Sequence, residues 1–173
     1  MNQELAARIN QLTYTELVEV ANFYFPVETG VAGTAAMEAR LSATVTRHGG
    51  DYRQLKDMLG AVHSDETSTT FLIRTALLQA ARGTPAQQRQ LAEAIAGVGQ
   101  SQVVVELLYA ILAATCFGLA WLAIPPQEKT TRTSTETRTD GSKVTMTEET
   151  TKDIPPPVEQ LYGWIKNLLR GKD

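Results

Sequence analysis

Only one of the 173 residues, Cys116, is a cysteine. A single thiol excludes an internal disulfide framework and any cysteine-based zinc site. Histidine is almost as scarce. His48 and His63 leave little material for a metal centre or a Ser-His triad. An excess of one charge is missing too. Lys and Arg number 16 against 19 Asp and Glu, a formal charge of −3, so nothing points to nucleic acid as partner. The sequence contains no H-E-x-x-H, no G-x-S-x-G, no P-loop and no G-x-G-x-x-G. Gly97-Val98-Gly99 reads as a helix terminator. His48 near Asp51, and His63 next to Asp65-Glu66, read as helix-end and loop residues. No catalytic, cofactor-binding or metal-ligating residue is therefore assigned, no cofactor is expected, and the chain is read as a non-enzyme. The opening MNQELAARIN is polar and lacks the apolar h-region of a secretory signal.

What the chain does have is a concentrated apolar run. Residues 103–124, VVVELLYAILAATCFGLAWLAI, carry one charge, Glu106. A helix of about 20 such residues crosses a hydrocarbon core of ~30 Å. The segment is therefore expected to be a single transmembrane helix, with membrane lipid as its surroundings and Pro125-Pro126 as its stop. A buried core helix is the alternative. Ala110, Ala114 and Gly118 recur every fourth residue and form a smooth stripe suited to helix–helix packing in the membrane, hence to a homo-oligomer. Trp121 is placed at the membrane interface. Glu106 reads either as a residue reaching headgroup water or as a polar contact between neighbouring helices in an oligomer. Lys129, Arg132, Arg138 and Lys143 on one side, against Arg82 and Arg89 on the other, favour a cytoplasmic tail. The absence of an export signal favours a cytoplasmic N-terminal domain, and that orientation is preferred.

Residues 1–62 carry helical periodicity and no strand periodicity. Asn2 can cap a first helix ending near Asn10. Thr13 and Glu16 form a capping box. Leu17, Val20, Ala21 and Tyr24 follow at helical spacing until Pro26 and Gly30, which are expected to break the helix. Thr34 is placed as the cap of a third helix, with Met37, Leu41 and Val45 on one face and Gly49-Gly50 at its end. Asp51 caps a fourth, with Leu55, Met58 and Leu59, closed by Gly60. The pattern predicts a small antiparallel helical bundle.

The succession Leu12-Thr13, Glu16-Leu17, Phe23-Tyr24-Phe25, Val31-Ala32-Gly33, Arg40-Leu41, Val45, Gly49-Gly50-Asp51, Leu55 and Met58-Leu59 resembles the effector-associated, death-like adaptor domains of bacterial conflict and signalling proteins. The resemblance covers the N-terminal third and rests on hydrophobic spacing and a Gly-rich turn. It implies a small helical bundle that recruits an effector or adaptor with a matching helical domain. It carries no catalytic motif.

Residues 63–102 hold two further helices, 67–82 and one opened by Thr84-Pro85, which either complete the bundle or form a stalk. Residues 125–157 change character. Ten of residues 129–152 are Thr, and Thr alternates with polar residues from 131 to 139. Asp140-Gly141 signals a two-residue hairpin turn that would set Arg138 opposite Lys143 and Arg132 opposite Glu149. A solvated hairpin or linker, a ribbon stacking with other copies, and a tail modified on its hydroxyls all remain open. Pro155-Pro156-Pro157 makes a stiff spacer. Residues 158–173 form an amphipathic helix with Leu161, Trp164, Ile165, Leu168 and Leu169 on one face. Trp164 is expected at the membrane interface, or else on the hairpin or another subunit.

The fold class expected is mainly α, built from the N-terminal bundle, one transmembrane helix, a Thr-rich hairpin and a C-terminal amphipathic helix. The expected function is a single-pass, membrane-anchored adaptor that clusters partners in bacterial defence signalling. The alternatives are an oligomeric pore-forming or structural membrane subunit, and a non-catalytic accessory subunit of an enzyme complex.

Overall fold

A computed structural model describes residues 2–100, 106–120, 129–137, 143–151 and 154–170. The chain is mainly helical and divides into two units. One comprises Met1–Ile124 with Pro155–Asp173, and the other is Pro125–Ile154.

The helices of the first unit begin where side chains can satisfy their free N–H groups. α1 (Gln3–Gln11) starts at Asn2, whose side chain accepts from the Leu5 N–H at 3.2 Å. α2 (Tyr14–Thr29) opens with the capping box. Glu16 N–H donates to the Thr13 hydroxyl at 3.3 Å, and Thr13 N–H donates to the Glu16 carboxylate at 2.7 Å. α3 (Thr34–Arg47) ends at His48 and the left-handed Gly49. α4 (Tyr52–His63) and α5 (Glu66–Ala80) are capped by Asp51 and Asp65. α6 (Pro85–Ala96) has a second capping box from Thr84 and Gln87, with Pro at its first position.

Three boundaries differ from expectation. Pro26 lies inside α2, which continues to Thr29 and ends at the left-handed Gly30. Proline costs such a helix one backbone bond, to the carbonyl four residues back. Tyr24 and Phe25, both fully buried just before it, hold the segment in the core. Thr34 is the first residue of α3 rather than its cap, and Gly33 stands in the cap position. Gly60 lies within α4, because Val62 beyond it is a core residue.

The apolar run forms α7 (Leu107–Ala120), and the structure corrects the transmembrane expectation. Among the described residues no helix is long and apolar enough to cross a membrane. α7 is instead enclosed by α2, α3, α4 and α5. Ala110, Ile111, Ala113 and Ala114 have at most 1% of their surface exposed, and Tyr109, Leu112, Thr115, Cys116, Phe117 and Leu119 are also buried. A helix that is apolar all round needs apolar neighbours on every side, and here the other helices provide them. Leu5, Ile9, Leu17, Met37, Leu41, Leu55, Ile73 and Leu77 complete the core. Segments that the sequence separates into 1–62, 63–102, 103–124 and 158–173 thus all contribute helices to one unit.

α8 (Pro156–Arg170) packs on α4 and α5 through Val158, Leu161 and Ile165. Gly50 permits close approach here, since a Cβ at that position would stand 2.6 Å from Leu168 Cδ1 and 2.9 Å from Val45 Cγ1.

The second unit is an antiparallel hairpin of β1 (Lys129–Thr137) and β2 (Lys143–Thr151). Its register is shifted from the expected one. Thr137 pairs with Lys143, Arg132 with Glu148 and Thr131 with Glu149, so five residues rather than two separate the strands. The observed register avoids setting Arg138 against Lys143. It matches Arg132 with Glu148, Thr133 with Thr147 and Thr135 with Thr145, residue types that pair favourably across strands. Asp140 and Gly141 lie outside the described residues, as does Trp121.

Candidate functional site

The residues singled out for membrane packing fall in the bundle interior. Ala110 and Ala114 are buried in the core, where a small side chain lets the surrounding helices come close. Gly118 is half-buried, and a Cβ placed on it would meet nothing within 4 Å. Tight backbone approach therefore accounts for the two alanines and not for the glycine. Near them lies an apolar gap of only about 20 Å³, lined by Leu72, Ala114, Phe117, Gly118, Tyr162 and Ile165. It marks where α8 meets α5 and α7 and is too small to hold a ligand. Trp164 is half-buried, and its indole N–H donates to Gln54 Oε1 at 3.0 Å. The indole is thus engaged by α4 of its own unit.

Glu106 makes polar contacts between helices of its own chain. Its backbone carbonyl accepts from Asn22 Nδ2 at 3.1 Å, and its N–H donates to Asn22 Oδ1 at 3.1 Å. The Thr34 hydroxyl donates to its carboxylate. One carboxamide on α2 and one hydroxyl on α3 therefore hold the start of α7. Further along, the Tyr109 hydroxyl donates to the Val31 carbonyl at 2.7 Å, and burial pushes its pKa up. Tyr24, Phe25 and Phe117 stack edge-on and tilted, with ring centroids 5.4 to 6.4 Å apart. The sequence carried one clue to this seam, the amide of Asn22 inside the otherwise apolar Val20–Phe25 stretch.

Two surface concavities flank α6. One, about 580 Å³, lies between α1 and α6 and is polar: Glu4, Arg8, Gln88 and Arg89 line it. The other, about 310 Å³, lies between α2 and α6 and is mostly apolar, with Phe23, Val27 and Ala94 beside Glu93. Val27 is 62% exposed, the more open of the two large apolar side chains at the described surface. Neither groove was found from sequence. Both depend on α6 lying beside α1 and α2, which periodicity alone does not determine.

Tyr24, which lines the apolar groove, has its hydroxyl pushed up by burial and by nearby Glu28. The other shifted groups are scattered. Burial, with Glu38 nearby, pushes Tyr52 up to about 12. Burial also raises the Cys116 thiol. Hydrogen bonds from Thr13 lower Glu16. Among the described residues no group of three His, Cys, Asp or Glu could hold a metal ion. The arrangement offers two grooves, one of them with several charged side chains in its lining. Compared with protein-family models, curated proteins and solved structures, the chain matches none.

Proposed function

We propose that the helical unit is a non-catalytic adaptor that recruits a helical partner domain through the two grooves flanking α6. The observation that carries this reading is the pairing of an apolar groove, with Val27 exposed on its rim, and a charged groove on opposite flanks of one short helix. Apolar anchors supply affinity in such contacts, while rim charges set orientation and partner choice. The resemblance of residues 1–62 to death-like adaptor domains favours a partner of similar helical build, in a bacterial conflict or signalling pathway. The test is titration of the full chain against the purified helical domains encoded beside it. Val27→Asp and Arg89→Glu are each expected to weaken the contact about tenfold or more. Binding that both substitutions leave intact would contradict the assignment of this surface.

A second reading has one observation in its favour. α7 is apolar on all sides and is enclosed by α2, α3, α4 and α5, so opening of the bundle would present it to lipid. On that reading the chain is a membrane-active or pore-forming subunit. Leakage of dye from anionic vesicles by the full chain, abolished by Ile111→Asp, would favour it over the adaptor.

A further inference from the structure

Among the described residues, the hairpin carries the only strand edges. Its sheet has two strands, so each strand has one neighbour and one open edge. The pairing runs without a bulge from Lys129 opposite Thr151 to Thr137 opposite Lys143, and neither strand contains proline. Bulges and prolines are the usual devices that keep such edges from pairing further. A two-stranded ribbon is also marginal alone in water and gains from additional strands.

The residue order of β1 selects the occupant. Reversed against itself about Ser134, β1 is self-complementary. Arg132 then stands opposite Glu136 of a second copy, and Glu136 opposite Arg132 of that copy. Thr133 faces Thr135, Thr131 faces Thr137, and Ser134 sits on the axis. Opposite charges and Thr–Thr pairs are favourable cross-strand neighbours. A slip of one residue sets Arg132 and Glu136 against threonines. β2 cannot do the same, because it carries Glu148 and Glu149 against Lys143 alone, and one glutamate per chain stays unmatched in any antiparallel self-pairing. Pairing of β1 with β2 of another copy matches fewer charges and does not close on itself.

The geometry points to a two-fold dimer in which β1 pairs antiparallel with β1 of a second copy about Ser134, giving a four-stranded sheet in the order β2–β1–β1–β2. This contact rests on the hairpin alone and not on the recruiting grooves proposed for the helical unit. An adaptor that also dimerises through its hairpin presents two recruiting surfaces at once.

Sedimentation equilibrium on the full chain tests the proposal. The wild type is expected to dimerise. Glu136→Arg leaves its intrachain neighbour Val144 uncharged and sets like charges across the axis twice, so dimer affinity should fall about tenfold or more. The triple reversal R132E/E136R/E148R keeps the intrachain pair opposite in sign, restores complementarity across the axis and should restore the dimer. In a Cys116→Ala background, Ser134→Cys should cross-link to itself under mild oxidation, and Thr147→Cys should not. A chain that stays monomeric throughout the concentration series overturns the proposal. So does a dimer indifferent to Glu136→Arg, a triple reversal that fails to recover, or cross-linking through position 147 in preference to 134. Loss of partner binding with the dimer intact would count against the recruiting grooves and leave this contact standing.

Discussion

Asn22 ties α2 to the first residues of α7 with one side chain, bonding both backbone groups of Glu106. Asn22→Ala leaves those two exposed groups to water, and a net loss of about 0.5–1.5 kcal/mol is expected in urea unfolding. Gly118 is the opposite case. Helical glycine with open space where its Cβ would be gains from alanine, chiefly through the unfolded chain. Gly118→Ala should stabilise by about 0.4–1 kcal/mol. A glycine required for close helix contact would instead lose stability on that change. Cys116 is 8% exposed and its thiol pKa is raised by burial, so Ellman's reagent at pH 8 should fail to modify it until denaturant is added.

At the scale of elements, the caps were the most legible part of the sequence. Thr13 with Glu16, Thr84-Pro85 with Gln87, and Asp51 each start a helix where their chemistry says they should, because a cap is a local hydrogen bond. The Thr13 box also gives a pH signature. Thr13 holds the Glu16 carboxyl below its ordinary value of 4.5, so ionised Glu16 favours the fold. That contribution is present above the unfolded value and is lost as pH falls through the lower, folded one. Glu16→Gln should flatten this part of the acid-range stability curve. Helix ends governed by tertiary contacts were less legible. Nothing local says that Pro26 is overridden by buried Tyr24 and Phe25, or that Thr34 gives its hydroxyl to Glu106. α7 was misread for a physical reason, since a core helix and a membrane span are both apolar all round. Enclosure separates them, because α2, α3, α4 and α5 surround the described part of the run, Leu107–Ala120. Burial then distinguishes its faces. Ile111→Ala should cost about 2–5 kcal/mol. Leu108→Ala, at a side chain 42% exposed, should stay within about 0.5 kcal/mol.

For the whole molecule, the central consequence is that the most apolar segment is the axis around which a helical unit assembles. The grooves beside α6 exist because α1, α2 and α5 each pack against α6, while α2 and α5 also pack against α7. The recruitment proposed for those grooves therefore depends on the bundle staying closed. Hydrogen exchange read by mass spectrometry on the full chain, in buffer free of detergent and lipid, tests this most directly. Peptides covering Ala110–Phe117 should be the slowest to exchange in the protein, opening only with global unfolding. Exchange of those amides within seconds, with protection appearing only after vesicles are added, would contradict the account and return the segment to the bilayer.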